Sequence, residues 1–231
     1  VQKGEFESLT TRLNKLWAAL CECARRYRRR YSLATNPKEV LPRSQTHNLD
    51  DLREAAEDAL PLLKKICGRV ADDLGGRFIA NVKSCKRIEE RLKQGIHLGD
   101  IEDPVRATII FKSLDQMAEG LNLLLDALKE ETPEHIRVED YYADPLDYGY
   151  IGLQVETLLP ASIRGEPRLI RAEIQIHTDL SLEARETVHR SYEGLRSQKD
   201  TAIFEEDDYK AYLQRRLASM ESFVNAFRKM L

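Results

Sequence analysis

The segment from Leu169 to Thr178, LIRAEIQIHT, alternates without a fault, and this constrains the chain more than any other feature. Ile170, Ala172, Ile174 and Ile176 fall on one parity; Arg171, Glu173, Gln175 and His177 fall on the other. Successive side chains of a strand point to opposite faces, so this segment is a β-strand with one face committed to a core. The other face carries a cation, a carboxylate, an amide and an imidazole in succession. It is either an ordinary wet sheet face or a functional surface, and the neighbouring segments decide which.

Four further β-like runs follow Gly76: FIANVKS, VRATIIF, HIRVEDYY and YIGLQVETLL. Between the second and third, SLDQMAEGLNLLLDALKE places Met117, Leu121, Leu124, Leu125 and Leu128 on one helical face, which makes a β-helix-β connection. The last two strands are separated by PASIRGEP and are expected to form a hairpin. The reading is therefore α+β, with a mixed five-stranded sheet flanked by helices. A helix from about Glu5 to Tyr31 precedes the strands. A second begins near Asp50, capped by Asp50 or Asp51, kinks at Pro61 and ends at the Gly75-Gly76 pair. Two more follow the last strand, about Leu180 to Arg196 and Glu206 to Leu231. The division expected is residues 1–75 as an N-terminal helical region, 76–196 as the core and 197–231 as a C-terminal helix.

Composition removes several classes of function. The 36 basic and 39 acidic side chains leave a formal charge of -3 over 231 residues, with no general basic excess to advertise nucleic-acid binding. A mean hydropathy of -0.49 and the lack of a long apolar run exclude a spanning helix, and the opening residues lack a signal-peptide order, so a soluble chain acting in the cytoplasm is expected. Delivery from a larger secreted protein is compatible with a first residue that is valine. Cys21, Cys23, Cys67 and Cys85 form no CxxC pair and read as reduced thiols.

Several polar residues lie where chemistry could be carried. In the strand beside Glu173, Tyr150, Gly152, Gln154 and Glu156 share one parity. Tyr150 between Gly149 and Gly152 is either a core tyrosine or a flat platform for a purine. Asp103 stands before the strand VRATIIF, as a turn residue or as one of two carboxylates, with Glu173, that hold Mg²⁺ while phosphate oxygens complete its shell. Arg106 could clamp a phosphate there. Upstream, NVKSCKRIEERLKQG runs from a strand into a basic helix. Ser84 stands at its cap, and Lys83, Lys86, Arg87 and Arg91 lie within nine residues. Its N-terminus would attract a triphosphate, although a charged helix is commonly just a solvated face.

Taken in order, these segments resemble the synthetase domain of the RelA/SpoT alarmone family, especially its small single-domain members, over about Arg77 to Tyr192. The RxKS loop of that family resembles Asn81 to Ser84, followed by Arg87-Ile88 and Arg91. Its metal-binding aspartate resembles Asp103. Its GYRSLH motif resembles Gly149 to Gln154, its ExQxRT strand Glu173 to Thr178, and its HxxY motif His189 to Tyr192. The departures fall where nucleotides are gripped: Asn81 replaces an arginine, for which Arg77 or Arg106 would have to substitute. Ile151 and Gln154 replace an arginine and a histidine, His177 replaces an arginine, and Glu193 replaces a lysine.

The resemblance implies a nucleotidyltransferase-like fold and transfer of the β,γ-pyrophosphate of ATP to a ribose 3'-hydroxyl with release of AMP. Asp103 and Glu173 would hold Mg²⁺, with Glu173 also the general base and Gln175 beside it. Lys83, Ser84, Arg87, Arg91 and Arg106 would bind the donor, Tyr150 and Gln154 the acceptor purine, and Gln175, His177 and His189 would position phosphate or ribose. Acceptors in view are GDP or GTP, ADP or ATP, and the 3' end of tRNA, the last suggested by ARRYRRRY at the end of the first helix, whose arginines equally fit an exposed helical side. No histidine-aspartate pair of the family's hydrolase domain occurs, so the resemblance implies a neutralising antitoxin or immunity protein, or a separate hydrolase. A degenerate nucleotide-binding module, pairing with itself or another chain through the terminal helices, is the non-enzymatic alternative.

Overall fold

A computed structural model describes residues 2–132, 135–187 and 206–231. The fold is α+β. Its elements are α1 (Gln2–Arg30), α2 (Leu49–Asp73), β1 (Arg77–Val82), α3 (Cys85–Lys93), β2 (Val105–Phe111), α4 (Leu114–Glu131), β3 (Ile136–Asp140), β4 (Leu153–Ile163), β5 (Glu166–Thr178), α5 (179–187) and α6 (Glu206–Met230). Two compact units result: Leu33–Glu139 with Leu153–Thr178, and Val1–Ser32 with Asp140–Gly152 and Asp179–Leu231. Neither is continuous in the chain.

The first unit holds the five-stranded sheet, ordered β1-β2-β5-β4-β3. β1 and β2 run antiparallel, β2 and β5 parallel, and β4 and β5 antiparallel, so the sheet is mixed as anticipated. One face is the core: Val105, Ala107 and Ile109 of β2, Ala172, Ile174 and Ile176 of β5, and Leu153 and Val155 of β4 are all buried. Across them lie α2, with Leu52, Leu63, Ile66 and Val70, and α4, with Met117, Leu121 and Leu124. Phe111 fills the end of this layer so tightly that a Cβ at Gly120 would stand 2.5 Å from its ring.

The hairpin forms with a shorter loop than the sequence suggested. Ile163 pairs with Glu166, leaving Arg164 and Gly165 as the whole connection, at φ 52° and 82°. Two successive positive φ values suit the right-handed twist of the flanking strands, and the strands therefore extend into the expected loop. Asn48, rather than Asp50 or Asp51, caps α2: its Oδ1 accepts from the Asp51 N–H at 2.9 Å. Asparagine there frees Asp50 and Asp51 for the first turn, where their charge favours the helix N-terminus. Pro61 lies inside α2, which runs on through it. β4 begins at Leu153, so Tyr150, Ile151 and Gly152 precede the strand instead of belonging to it.

The second unit is helical. α1 packs on α6, burying Leu13, Leu20, Ala24 and Tyr27 with Leu213, Leu217, Phe223 and Phe227. The anticipated stripes of the terminal helices are thus core of their own unit. All four cysteines are free thiols. Among the described residues no helix is long and apolar enough to cross a membrane.

Candidate active site

The second face of the sheet is exposed over β1 and at Arg106 of β2, but it is largely buried over β5 and at Glu156 of β4. Glu173 is 9% exposed, Arg171 9%, Glu156 1% and His177 0%. Burying such groups unpaired is costly; Arg171 donates to the Pro42 and Leu41 carbonyls, and the strand register sets the neighbours of Glu173 and Glu156. Asn81 pairs with Arg106, Arg106 with Glu173, and Glu173 with Glu156, which places one residue from each of β1, β2, β5 and β4 in a single row. The next row holds Ile79, Thr108, Gln175 and Gln154. In-register partners share a face.

Glu173 sits at the centre of this face, and both its carboxylate oxygens are engaged. Gln154 Nε2 donates to Oε2 at 3.0 Å and Gln175 Nε2 donates to Oε1 at 2.6 Å. One amide on each oxygen fixes the orientation of the carboxylate. Gln154 Nε2 also donates to Glu156 Oε1 at 3.0 Å, and Arg137 of β3 donates to the same oxygen. Burial holds the Glu156 carboxyl above the usual carboxylate range, an effect the Arg137 and Gln154 hydrogen bonds partly reverse.

At the head of β2, Lys83 Nζ donates to both Asp103 oxygens, at 2.5 and 2.6 Å, with both side chains largely buried. Arg106 Nη1 lies 3.5 Å from Asp103 Oδ2, and its Nε donates to Asn81 Oδ1 at 3.1 Å. Asn81, which stands where a cation was looked for, serves as an acceptor that holds Arg106 along the sheet. Ser84 occupies the N-cap position of α3 without a side-chain capping bond. Arg87 pairs with Glu90 at 3.6 Å, and Arg91 donates to Gln94 at 3.4 Å, so both are engaged within the helix.

The structure therefore brings Lys83, Asp103, Arg106, Gln154, Glu173 and Gln175 onto one face. His177 lies on the same strand, fully buried. Tyr150 belongs to the helical unit and is 4% exposed, its ring edge-on to Tyr141 and Phe223 at 5.5 and 5.9 Å. That corrects the expectation of an open platform. Gly149 is required there because its φ is 94° and a Cβ would stand 3.0 Å from the Met220 backbone, so α6 accounts for the close approach. His189 lies outside the described residues. Sequence reasoning did not assign Arg137 and Glu156. Glu156 was visible in the parity it shares with Gln154, but nothing in HIRVEDYY singled out Arg137, which reaches the site only because β3 is the strand beside β4.

No protein-family model matches the sequence, and no curated protein matches it. Solved structures do match. Small alarmone synthetase 2 from Bacillus subtilis aligns over 77% of this chain and 94% of its own, at 21% identity and a TM-score of 0.56. The chain has the fold of the small alarmone synthetases. Small alarmone synthetase 1 from Bacillus subtilis, bound to its product pppGpp, aligns over 75% of this chain and 88% of its own at 19% identity, TM-score 0.50. The type VI effector Tas1, in complex with its immunity protein, aligns over 80% of this chain and 100% of its own at 19% identity, TM-score 0.50.

Proposed function

We propose that the protein is a nucleotide pyrophosphokinase, which transfers the β,γ-pyrophosphate of ATP to the 3'-hydroxyl of a purine nucleotide. The observation that carries this reading is Glu173, a nearly buried carboxylate held by two amides in register with Arg106, on the face that also bears the Lys83–Asp103 pair. In the proposed reaction the acceptor 3'-oxygen bonds to the β-phosphorus, the bond from that phosphorus to the α-β bridging oxygen breaks, and AMP leaves with that oxygen. Glu173 takes the hydroxyl proton, a role for which its fixed orientation suits it. Lys83 and Arg106 turn from Asp103 towards phosphate oxygens and neutralise them, the main task of a protein in phosphoryl-type transfer. Arg87 and Arg91 extend that positive surface. Tyr150 offers no exposed ring face, so purine stacking through it is not part of the proposal.

Mg²⁺ fits this donor set. That ion takes one or two carboxylates and completes its shell with phosphate and water. Asp103 already attracts a cation, the Lys83 ammonium, with both oxygens. Asp103 and Glu173 would hold the ion, which when bound offsets phosphate charge. The solved neighbours support nucleotide chemistry on this fold through a bound product, pppGpp, and a protein antagonist through the immunity complex of Tas1.

The deciding experiment incubates the protein with Mg²⁺ and labelled ATP plus GDP, GTP, ADP, ATP or tRNA, each in a separate reaction, and resolves the products. Release of AMP with a 3'-pyrophosphorylated product is expected with at least one purine mononucleotide. ATP binding without AMP release under every condition would overturn the reading in favour of an interaction module, and product with tRNA alone would replace the acceptor.

A further inference from the structure

We infer that Glu156 and Arg137 form a positioning pair whose task is to fix the Gln154 amide, and through it the carboxylate of Glu173. The inference rests on the reading of Glu173 as the base of the transfer. It begins from a pair that stability does not explain. Glu156 is 1% exposed, and Arg137 pairs with it from the neighbouring strand while also lying 3.5 Å from Glu102 Oε1. Glu156 Oε2 and Arg137 Nε are buried and make no hydrogen bond. Buried ion pairs gain little over well-packed apolar side chains, and each unsatisfied polar atom weakens the fold further. An apolar pair at these two positions would serve the sheet at least as well.

What the pair does accomplish is geometric. The Gln154 amide nitrogen carries two hydrogens, and the structure gives each one a carboxylate: Glu156 Oε1 and Glu173 Oε2, both at 3.0 Å. Carboxylates only accept, so the nitrogen side of the amide must face them both, and the amide cannot turn its oxygen towards Glu173 without losing two bonds. Glu156 is in turn held by Arg137, which keeps its charge in place. The row Arg137–Glu156–Gln154–Glu173 therefore runs from the sheet edge inwards and ends on the reacting carboxylate, opposite the bond from Gln175. Groups that orient a reacting ligand in this way are typically worth about 10- to 100-fold when removed.

The test uses the full chain and four proteins: wild type, E156Q, E156L and the double variant E156L/R137L. The double variant removes both charges and is expected to unfold at a temperature no lower than wild type. Its kcat should fall about 10- to 100-fold, with KM for ATP changed less than about threefold, in line with loss of orientation rather than of binding. E156Q keeps an amide oxygen that accepts from Gln154 and Arg137, so it should restore most of the turnover lost in E156L. Independently of activity, the Gln154 side-chain NH₂ in ¹⁵N NMR spectra should show two well-separated proton signals in wild type and E156Q, moving towards ordinary free-amide positions in the double variant. An unaltered amide signature in a folded double variant would overturn the inference, as would wild-type kcat or failure of E156Q to improve on E156L. If wild type transfers pyrophosphate to no acceptor, the functional proposal fails, and the amide spectra still decide whether the pair fixes Gln154.

Discussion

Replacing Asp140 with asparagine should make the helical unit more stable at neutral pH and leave it unchanged in acid. Burial raises the Asp140 carboxyl from 3.8 to about 6, against the opposing pull of the Ala143 and Tyr142 N–H groups, the Tyr27 hydroxyl and Arg28. The two N–H groups donate to Oδ1 at 3.0 Å each, while the buried Tyr27 hydroxyl falls short of hydrogen-bond geometry. Because the folded state prefers the protonated acid, the contribution of Asp140 to stability is complete below pH ~4, the range in which unfolded aspartate titrates, and is lost as pH rises through about 6. A gap of about two pH units corresponds to about 3 kcal/mol, or about 6–12 °C in melting temperature for a chain of this size. Tyr27 adds nothing to this window, since burial raises its hydroxyl further from neutrality. Asparagine keeps the Oδ1 acceptor for both N–H groups and removes only the charge. Unfolding followed through the single tryptophan, Trp17 of α1, at pH 4, 5, 6, 7 and 8 should give coincident curves for wild type and D140N at pH 4 and a gap that opens by pH 7. A gap that is constant over the range, or wild type gaining on the variant as pH rises, would refute the assignment of Asp140 as a carboxylate penalised by burial.

Glu173→Gln should lower turnover by about 10²- to 10⁴-fold, as loss of a general base does, while circular dichroism stays native. Its own amide would bring one donor against Gln154 or Gln175, so a loss of about 1–3 kcal/mol in stability accompanies it, readable in urea. Lys83→Met should raise KM for ATP about tenfold or more through loss of a charge-assisted contact to phosphate; unchanged KM would remove Lys83 from the donor site. Gly120→Ala sets two effects against each other: alanine favours a helix interior by about 1 kcal/mol, but its Cβ would stand 2.5 Å from the Phe111 ring. Overpacking of about 1–3 kcal/mol should win, and a stabilised variant in chemical denaturation would show that Phe111 moves aside.

The sheet was legible because its strands alternate or run apolar with turn residues between them, and period 2 leaves little freedom in which face is buried. Val105 to Phe111 and the helix from Leu114 follow the sequence reading almost residue for residue. The errors lie where a local signal had two owners. Glycines around Tyr150 read as space for a ligand, whereas α6, some 70 residues later, needs Gly149 for its own approach. Asn48, Asp50 and Asp51 are all capping residues, and only backbone geometry selects among them. The placement of Glu173, Asp103 and Lys83 on or beside the polar sheet face was readable from strand parity and strand ends. Arg137 was not, because it meets Glu156 through the order of strands across the sheet, a property no local window contains.

The charge balance of the chain acquires a physical meaning on the sheet face. A site for a nucleoside triphosphate needs cations, yet a cation buried alone would destabilise the empty protein. Here Lys83 is covered by Asp103, Arg106 by Asp103 and Asn81, and Arg137 by Glu156 and Glu102. Each of these three positive groups therefore has an internal partner. On the proposed reading, binding of phosphate is an exchange of partners in which Lys83 and Arg106 would turn from Asp103 to the ligand, and the carboxylate would then be free to take a cation of its own. Such an exchange predicts that ATP and Mg²⁺ bind with positive cooperativity, each tightening the other by the same factor. Titration calorimetry at several fixed Mg²⁺ concentrations measures that factor, which should exceed that of ATP and Mg²⁺ alone in water. In D103N the excess should vanish; its persistence would show that Asp103 is a structural partner of Lys83 and nothing more.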